Sequence, residues 1–262
     1  MARDKRVQKK GMHYISNRSV ELRNIFIVEE DYQIFLEYLC KMSKLHKFTI
    51  HSYVLLVHSV YLLLETKKDN LSHIMKLLNS QYTNYFNLKY NRNGPLWEGR
   101  YKSSFIENHS YVYYFISFME NLPKSTGISV DLRSYHYSSY RQFIGLDKCL
   151  KCMQNSIIFK RFNTFEEIKI FLEKTYTKEF ITNIVKILRY RYKTKDFRKK
   201  ELAINYLDKY FSFNQTYEDE LKSIFKAYIN GFSQKKIGDF LGISQQAVAK
   251  RIKKYREKKG KR

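Results

Sequence analysis

The sequence predicts an α+β fold: a ferredoxin-like antiparallel sheet with packed helices, followed by an all-α C-terminal helix-turn-helix region. Three observations carry this. Apolar residues follow strand and helix periods in the order β-α-β-β-α-β-α as far as Asn121, the strand signals fade beyond about Asp147, and the segment from Thr216 carries the apolar spacing and the turn of a small helical unit. The expected domains are 1–146 for the sheet, 147–213 for a helical connector, and 214–262 for the helix-turn-helix.

The elements follow from local pattern. Residues 1–10 form a basic leader, expected to be mobile, with Arg3, Lys5, Arg6, Lys9 and Lys10 against Asp4. Met12–Asn17 alternates as a short strand. Glu29 to about Lys44 carries Tyr32, Phe35, Leu36 and Leu39 at helical spacing. Phe48–Val57 and Ser59–Leu64 are β-rich runs set back to back, as two strands of one sheet would be. From Leu71, a stripe of Ile74, Met75, Leu78, Tyr82, Tyr85 and Phe86 predicts a long helix. Asn91–Pro95 is a turn, Tyr101–Ile106 a strand, and His109–Asn121 a helix stopped by Pro123. Phe165 to about Tyr210 is charged and helical.

Composition narrows the partner. Lys and Arg number 49 against 25 Asp and Glu, a formal charge of +24. Such an excess repels itself in a compact chain and suits a polyanion. No apolar run reaches the roughly 18 residues that span a bilayer, and the first residues lack an apolar leader. The expectation is therefore a cytoplasmic, nucleoid-associated protein with DNA as partner and no membrane contact. Cys40, Cys149 and Cys152 make an odd count, which argues against a disulfide framework. Cys149–Cys152 is a lone CxxC without the second pair a zinc site needs, so no metal or other cofactor is expected.

The C-terminal segment carries the clearest chemistry. Thr216 caps a first helix with Leu221, Ile224, Phe225 and Tyr228, ended by Gly231. Ser233 caps a second, Gln234–Leu241. Gly242 makes the turn, and Ile243-Ser244 opens a third helix with Val248 and Ile252 facing inward. This is the plan of a helix-turn-helix. Gln245 and Gln246, at the start of the third helix, offer paired donors and acceptors to a base edge, and Lys250 and Arg251 follow one turn on, where phosphates would run. A helical hairpin with a solubilising basic tail is the plainer alternative.

In the first domain, His13-Tyr14-Ile15-Ser16-Asn17-Arg18, Leu96-Trp97-Glu98-Gly99-Arg100-Tyr101-Lys102-Ser103 and Tyr137-Ser138-Ser139-Tyr140 resemble blocks of the REP-associated tyrosine transposases, which are HUH single-strand endonucleases. The resemblance covers residues 11–145. It implies a sheet that grips hairpin or single-stranded DNA, two strand histidines holding a divalent metal such as Mg, and a helix tyrosine that attacks phosphate to give a 5′-phosphotyrosine. It also implies pairing of subunits as a homodimer. Residues i and i+2 of a strand share a face, so two imidazoles so spaced can share one ion.

This chain departs from that pattern. The family's ligand positions fall on Ser59 and Tyr61, which cannot replace two imidazoles. His58 is one residue out of phase unless a bulge turns it. The family's Tyr-Ile-x-x-Asn-Pro block falls on Phe118–Pro123, so the nucleophile position is Phe118. Tyr114 and Tyr111, one and two turns earlier, are displaced candidates, although Tyr111, Tyr114, Phe115 and Phe118 have the spacing of a buried stripe. Arg18, Arg100 and Lys102 remain to meet phosphate, and Trp97 to stack on a base. The leading expectation is a DNA-binding or regulatory protein with a lapsed catalytic centre. The alternatives are a working nickase and strand-transferase using Tyr114 with a metal, and an RNA-binding or structural protein.

Overall fold

The computed structural model describes residues 9–107, 110–174, 211, 216–229 and 233–259. The first eight residues of the leader, the helical expectation for 175–210 and the helix end at Gly231 lie outside them. The chain divides into two compact units, Met1–Thr175 and Tyr176–Arg262.

The first unit contains β1 (Gly11–Arg18), α1 (Glu29–His46), β2 (Thr49–Leu56), β3 (Ser59–Thr66), α2 (Leu71–Lys89), β4 (Lys102–Ile106) and α3 (Ser110–Glu120). The strands form one sheet in the order β2-β3-β1-β4, each neighbour antiparallel. β1 and β2 therefore run parallel with β3 between them, the split β-α-β arrangement of a ferredoxin-like sheet. The α+β expectation holds, and every strand lies within a residue or two of its expected span.

Residues paired across the strands share a face. One face carries Tyr14, Ser16 and Arg18 of β1, Ser59, Tyr61 and Leu63 of β3, and Lys102 and Ser104 of β4. Helix α3 lies on this face, with Phe115 against Tyr14 at 4.7 Å between ring centroids. The opposite face, with Ile15, Leu62 and Leu64 fully buried, is left for α1 and α2. Asp31 fixes the start of α1. Its carboxylate accepts from Ile27 and Val28 N–H, Tyr85 and Tyr90 hydroxyls and Lys89 Nζ, so these donors hold it down at about 2 despite burial.

Short helices α4 (Leu122–Ser125), α5 (Tyr140–Phe143), α6 (Ile157–Arg161) and α7 (Phe165–Leu172) complete the first unit. Residues 147–174, expected to begin the connector, belong here. A bulge between Ile50 and Ser52 sets His51 apart from the strand pairing. Its Nδ1 accepts from Ile157 N–H at 3.0 Å, its carbonyl accepts from Ser156 Oγ at 2.8 Å, and its Nε2 meets Glu65 at 3.2 Å. The segment thus straps the edge strand β2, whose bare backbone groups would otherwise recruit another chain.

The cysteines also depart from expectation. Cys40 on α1 and Cys152 are joined in a disulfide with their Cα atoms 5.4 Å apart, and Cys149 is free. An odd count forbids complete pairing but not a single bond, and here the fold closes 112 residues of sequence. Among the described residues no helix is long and apolar enough to cross a membrane.

In the second unit, α8 (Tyr217–Ile229), α9 (Gln234–Leu241) and α10 (Gln245–Lys259) enclose a core of Ile224, Ala227, Ile237, Val248 and Ile252. The caps are those expected. Thr216 Oγ1 accepts from Asp219 N–H, Ser233 Oγ from Lys236 N–H and Ser244 Oγ from Ala247 N–H, at 3.2, 3.2 and 3.1 Å. Gly242 ends α9 in the left-handed region at φ 69°.

Candidate nucleic-acid interface

The three motif blocks meet the sheet in two places. At one end, the Trp97-Glu98 block pairs with the close of β1. Ser19 bridges Trp97, and Glu98 N–H donates to the Arg18 carbonyl at 2.9 Å. Arg18 then turns its guanidinium onto Glu98, with Nη2 to Oε1 at 2.7 Å and a second contact through Nε. This ion pair holds the Glu98 carboxyl below its usual range. Arg18 is half-exposed but already shares its charge, whereas Lys102 and Arg100 are exposed.

At the edge of the sheet, the Tyr137–Tyr140 block lies along β2. Leu55 N–H donates to the Tyr137 carbonyl at 2.9 Å, and Ser139 N–H to the Tyr53 carbonyl at 3.0 Å. Ser139 Oγ then donates to Glu120 Oε1, which also accepts from Ser52 Oγ at 2.7 Å. Glu120 is fully buried at the end of α3, and burial pushes its carboxyl up to about 7.

The positions a catalytic centre would use are on the expected face with unsuitable chemistry. Ser59 is buried, and its Oγ makes no hydrogen bond to protein; Tyr61 is half-buried. β3 pairs with β1 without interruption from Ser59 to Thr66, so no bulge there turns His58 into phase. His58 sits in the turn before β3, its carbonyl accepting from Ser19 N–H at 3.0 Å. The sheet's bulge is at His51, whose ring nitrogens are both engaged. Among the described residues, no three His, Cys, Asp or Glu side chains are grouped to hold a metal. A hydroxyl and a phenol are poor neutral donors for a divalent ion, so the residues present do not fit the family's metal.

Helix α3 differs from the expected buried stripe. Nearly its whole circumference is buried, and Tyr114 and Phe118, one turn apart, form its half-exposed row. Tyr111 is core, 6.3 Å between centroids from Tyr114. Tyr114 therefore keeps some access to solvent, which a purely packed tyrosine would lack.

In the second unit the third helix sorts its charges. Arg251 Nη1 bonds Glu220 of α8 at 3.0 Å, Lys258 pairs with Glu218, Lys254 lies 5.0 Å from the Tyr217 ring centroid, and Arg256 lies over Phe225 and Tyr228 at 5.7 and 5.8 Å. These four cations tie α10 to α8. Gln245, Gln246, Lys250 and Lys253 are exposed, and Gln246, Lys250 and Lys253 are spaced to share one row of the helix, opposite Val248 and Ile252. Of the expected phosphate contacts here, Lys250 is presented outward and Arg251 is turned inward.

Comparison with known proteins gives one kind of likeness. No family model matches the chain, and no curated protein does. Among solved structures it is similar to a REP-associated tyrosine transposase bound to a REP hairpin. The identity is 16%, the TM-score 0.49, and the likeness spans 60% of this chain and 99% of that one.

Three features were not anticipated from the sequence. Glu120, within the Phe118–Pro123 block, is one, and its signal in the sequence is a lone acid in an apolar helix, which points to a buried polar contact. Gly238 lies inside α9, where glycine is costly without a packing reason. A groove of about 530 Å³ opens between α2 and residues 95–101, and Trp97 and Arg100 are among its lining residues. Trp97 is only 8% exposed, its Nε1 donating to the Asn79 carbonyl at 3.4 Å.

Proposed function

We propose that this chain is a DNA-binding protein of transposase-like descent whose catalytic centre has lapsed, acting as a DNA-binding or regulatory factor. The observation that carries the reading is the outward row of α10. An amide pair opens the helix, Lys250 follows one turn on without an ion pair among the described residues, and Lys253, 4.0 Å from Glu257 of the same helix, two turns on, while the remaining described cations of that helix are absorbed by α8. Such a row suits base edges first and phosphates next when a helix enters the major groove. The first unit supplies a separate surface, around Lys102 and Arg100, for hairpin or single-stranded DNA. Phe118 has no hydroxyl to attack phosphate, and Ser59 and Tyr61 offer no site for a metal that would offset the growing charge. The net charge of +24 supports a polyanionic partner for both units.

Selection of duplex fragments retained by the purified protein supplies a target, and binding is then read by anisotropy. Replacing Gln245 and Gln246 together with alanine is expected to cost about tenfold on the selected sequence and little on unrelated duplex. Lys250→Ala is expected to weaken all duplexes alike and lower the salt slope by about one. Unchanged affinity and preference in both variants would sink the reading.

The half-exposed Tyr114 favours a second reading, an active nickase. Incubation with labelled hairpin DNA and Mg is expected to give no covalent adduct. An adduct that disappears in Tyr114→Phe would replace the lapsed centre with a displaced one.

A further inference from the structure

We propose that the groove between α2 and residues 95–101 holds a single unpaired nucleotide of a DNA strand. The inference rests on the reading of the first unit as a surface for single-stranded or looped DNA. The groove's volume of about 530 Å³ is within the range of small-ligand sites. Its chemistry is one-sided: Lys76 and Arg100 line it, and no carboxylate does. Neither cation forms an ion pair among the described residues, unlike Arg18 close by, so their charge is available to a phosphate.

The rest of the lining suits a base. Asn79 and Asn84, about one and a half turns apart on α2, each bring an amide with both donors and an acceptor, the groups that read a base edge. Trp97 lines the groove with the small part of its indole that is left uncovered, against which the edge of a base can rest, and its bond to the Asn79 carbonyl fixes the ring. Opposite α2, the wall turns at Gly99, whose φ of 65° favours a residue without a side chain. A stacked duplex hides its base faces, so the occupant is an unpaired or extruded nucleotide. A bare anion would leave the amides and the indole unused.

The test has a built-in reporter, because Trp97 is the only tryptophan in the sequence. Full-length protein is titrated with a short single-stranded oligonucleotide while Trp97 emission and the anisotropy of the labelled strand are both recorded. Saturable quenching is expected. Arg100→Ala and Lys76→Ala are each expected to weaken it about fivefold, and substitution of an exposed lysine outside the groove, Lys41→Ala, to leave it unchanged. A mononucleotide that quenches as tightly as the strand would overturn the strand assignment, and a polyglutamate peptide that does so would reduce the groove to an anion site. Strand binding without quenching, or quenching indifferent to both cation variants, would remove the groove and leave the first unit's DNA surface standing. No anisotropy change with hairpin or single strand would remove that underlying reading as well.

Discussion

Gly238→Ala is expected to unfold the C-terminal helical unit and abolish duplex binding. A Cβ built on Gly238 would lie 2.6 Å from the Ile243 carbonyl oxygen. That oxygen belongs to backbone at the turn into α10, so relief requires moving one helix away from the other. The same glycine holds the turn closed, its carbonyl accepting from Ile243 and Gly242 N–H. Overpacking of this kind costs about 3 kcal/mol. Domains have roughly 0.05–0.15 kcal/mol of stability per residue, so a unit this small has little more than that to lose. In full-length protein, amide exchange is expected to rise throughout α8, α9 and α10, while β1–β4 keep their protection. Binding to single-stranded DNA by the first unit should persist. A variant that retains exchange protection in α10 would show that the helices part without cost, and the close approach would lose its meaning.

The position of Gly238 marks how much could be seen in advance. Alternation in Met12–Asn17 and the back-to-back runs around Ser59 depend only on neighbours in sequence, so the strands and their order were legible. The same holds for the caps at Ser233 and Ser244 and for the inward Val248 and Ile252. What was not legible depends on contacts between distant residues. Arg251 and Lys250 are adjacent and equally basic, but only Arg251 meets Glu220, 31 residues away. Arg18 looked available for phosphate until the fold set Glu98 against it. The bulge at His51 decides which histidine leaves the ladder, and nothing in the local pattern distinguishes it from His58. Tyr114 and Tyr111 have equivalent spacing, and only the docking of α3 makes one half-exposed and the other core. The groove needs α2 and the turn after Pro95 to converge, which no local period can report.

The stability of the first unit is expected to fall as pH rises through the range from about 4.5 to above 7, and Glu120→Gln is expected to remove that fall. Glu120 is fully buried, and burial raises its carboxyl from an ordinary 4.5 to about 7. The folded state therefore holds a proton that the unfolded chain releases. Below 4.5 both states are protonated and the group is neutral in its effect. Between the two values the unfolded chain ionises first and gains, and above 7 the penalty for ionising the buried carboxyl is complete. At roughly 1.4 kcal/mol for each pH unit of displacement, the whole effect is about 3 kcal/mol. Ser52 and Ser139 limit it, because both donate to Oε1 and ease the charged form. Glutamine keeps an oxygen for those two donors and has no proton to lose. Thermal unfolding of wild type and Glu120→Gln across pH 4.5–7.5 is the measurement, with parallel curves as the outcome that refutes it. Ser139→Ala should steepen the wild-type fall, since it withdraws a donor from the carboxylate. That variant also separates the buried carboxyl from other titrating groups, because Ser139 binds the backbone of β2 and Glu120 and touches no other acid among the contacts described.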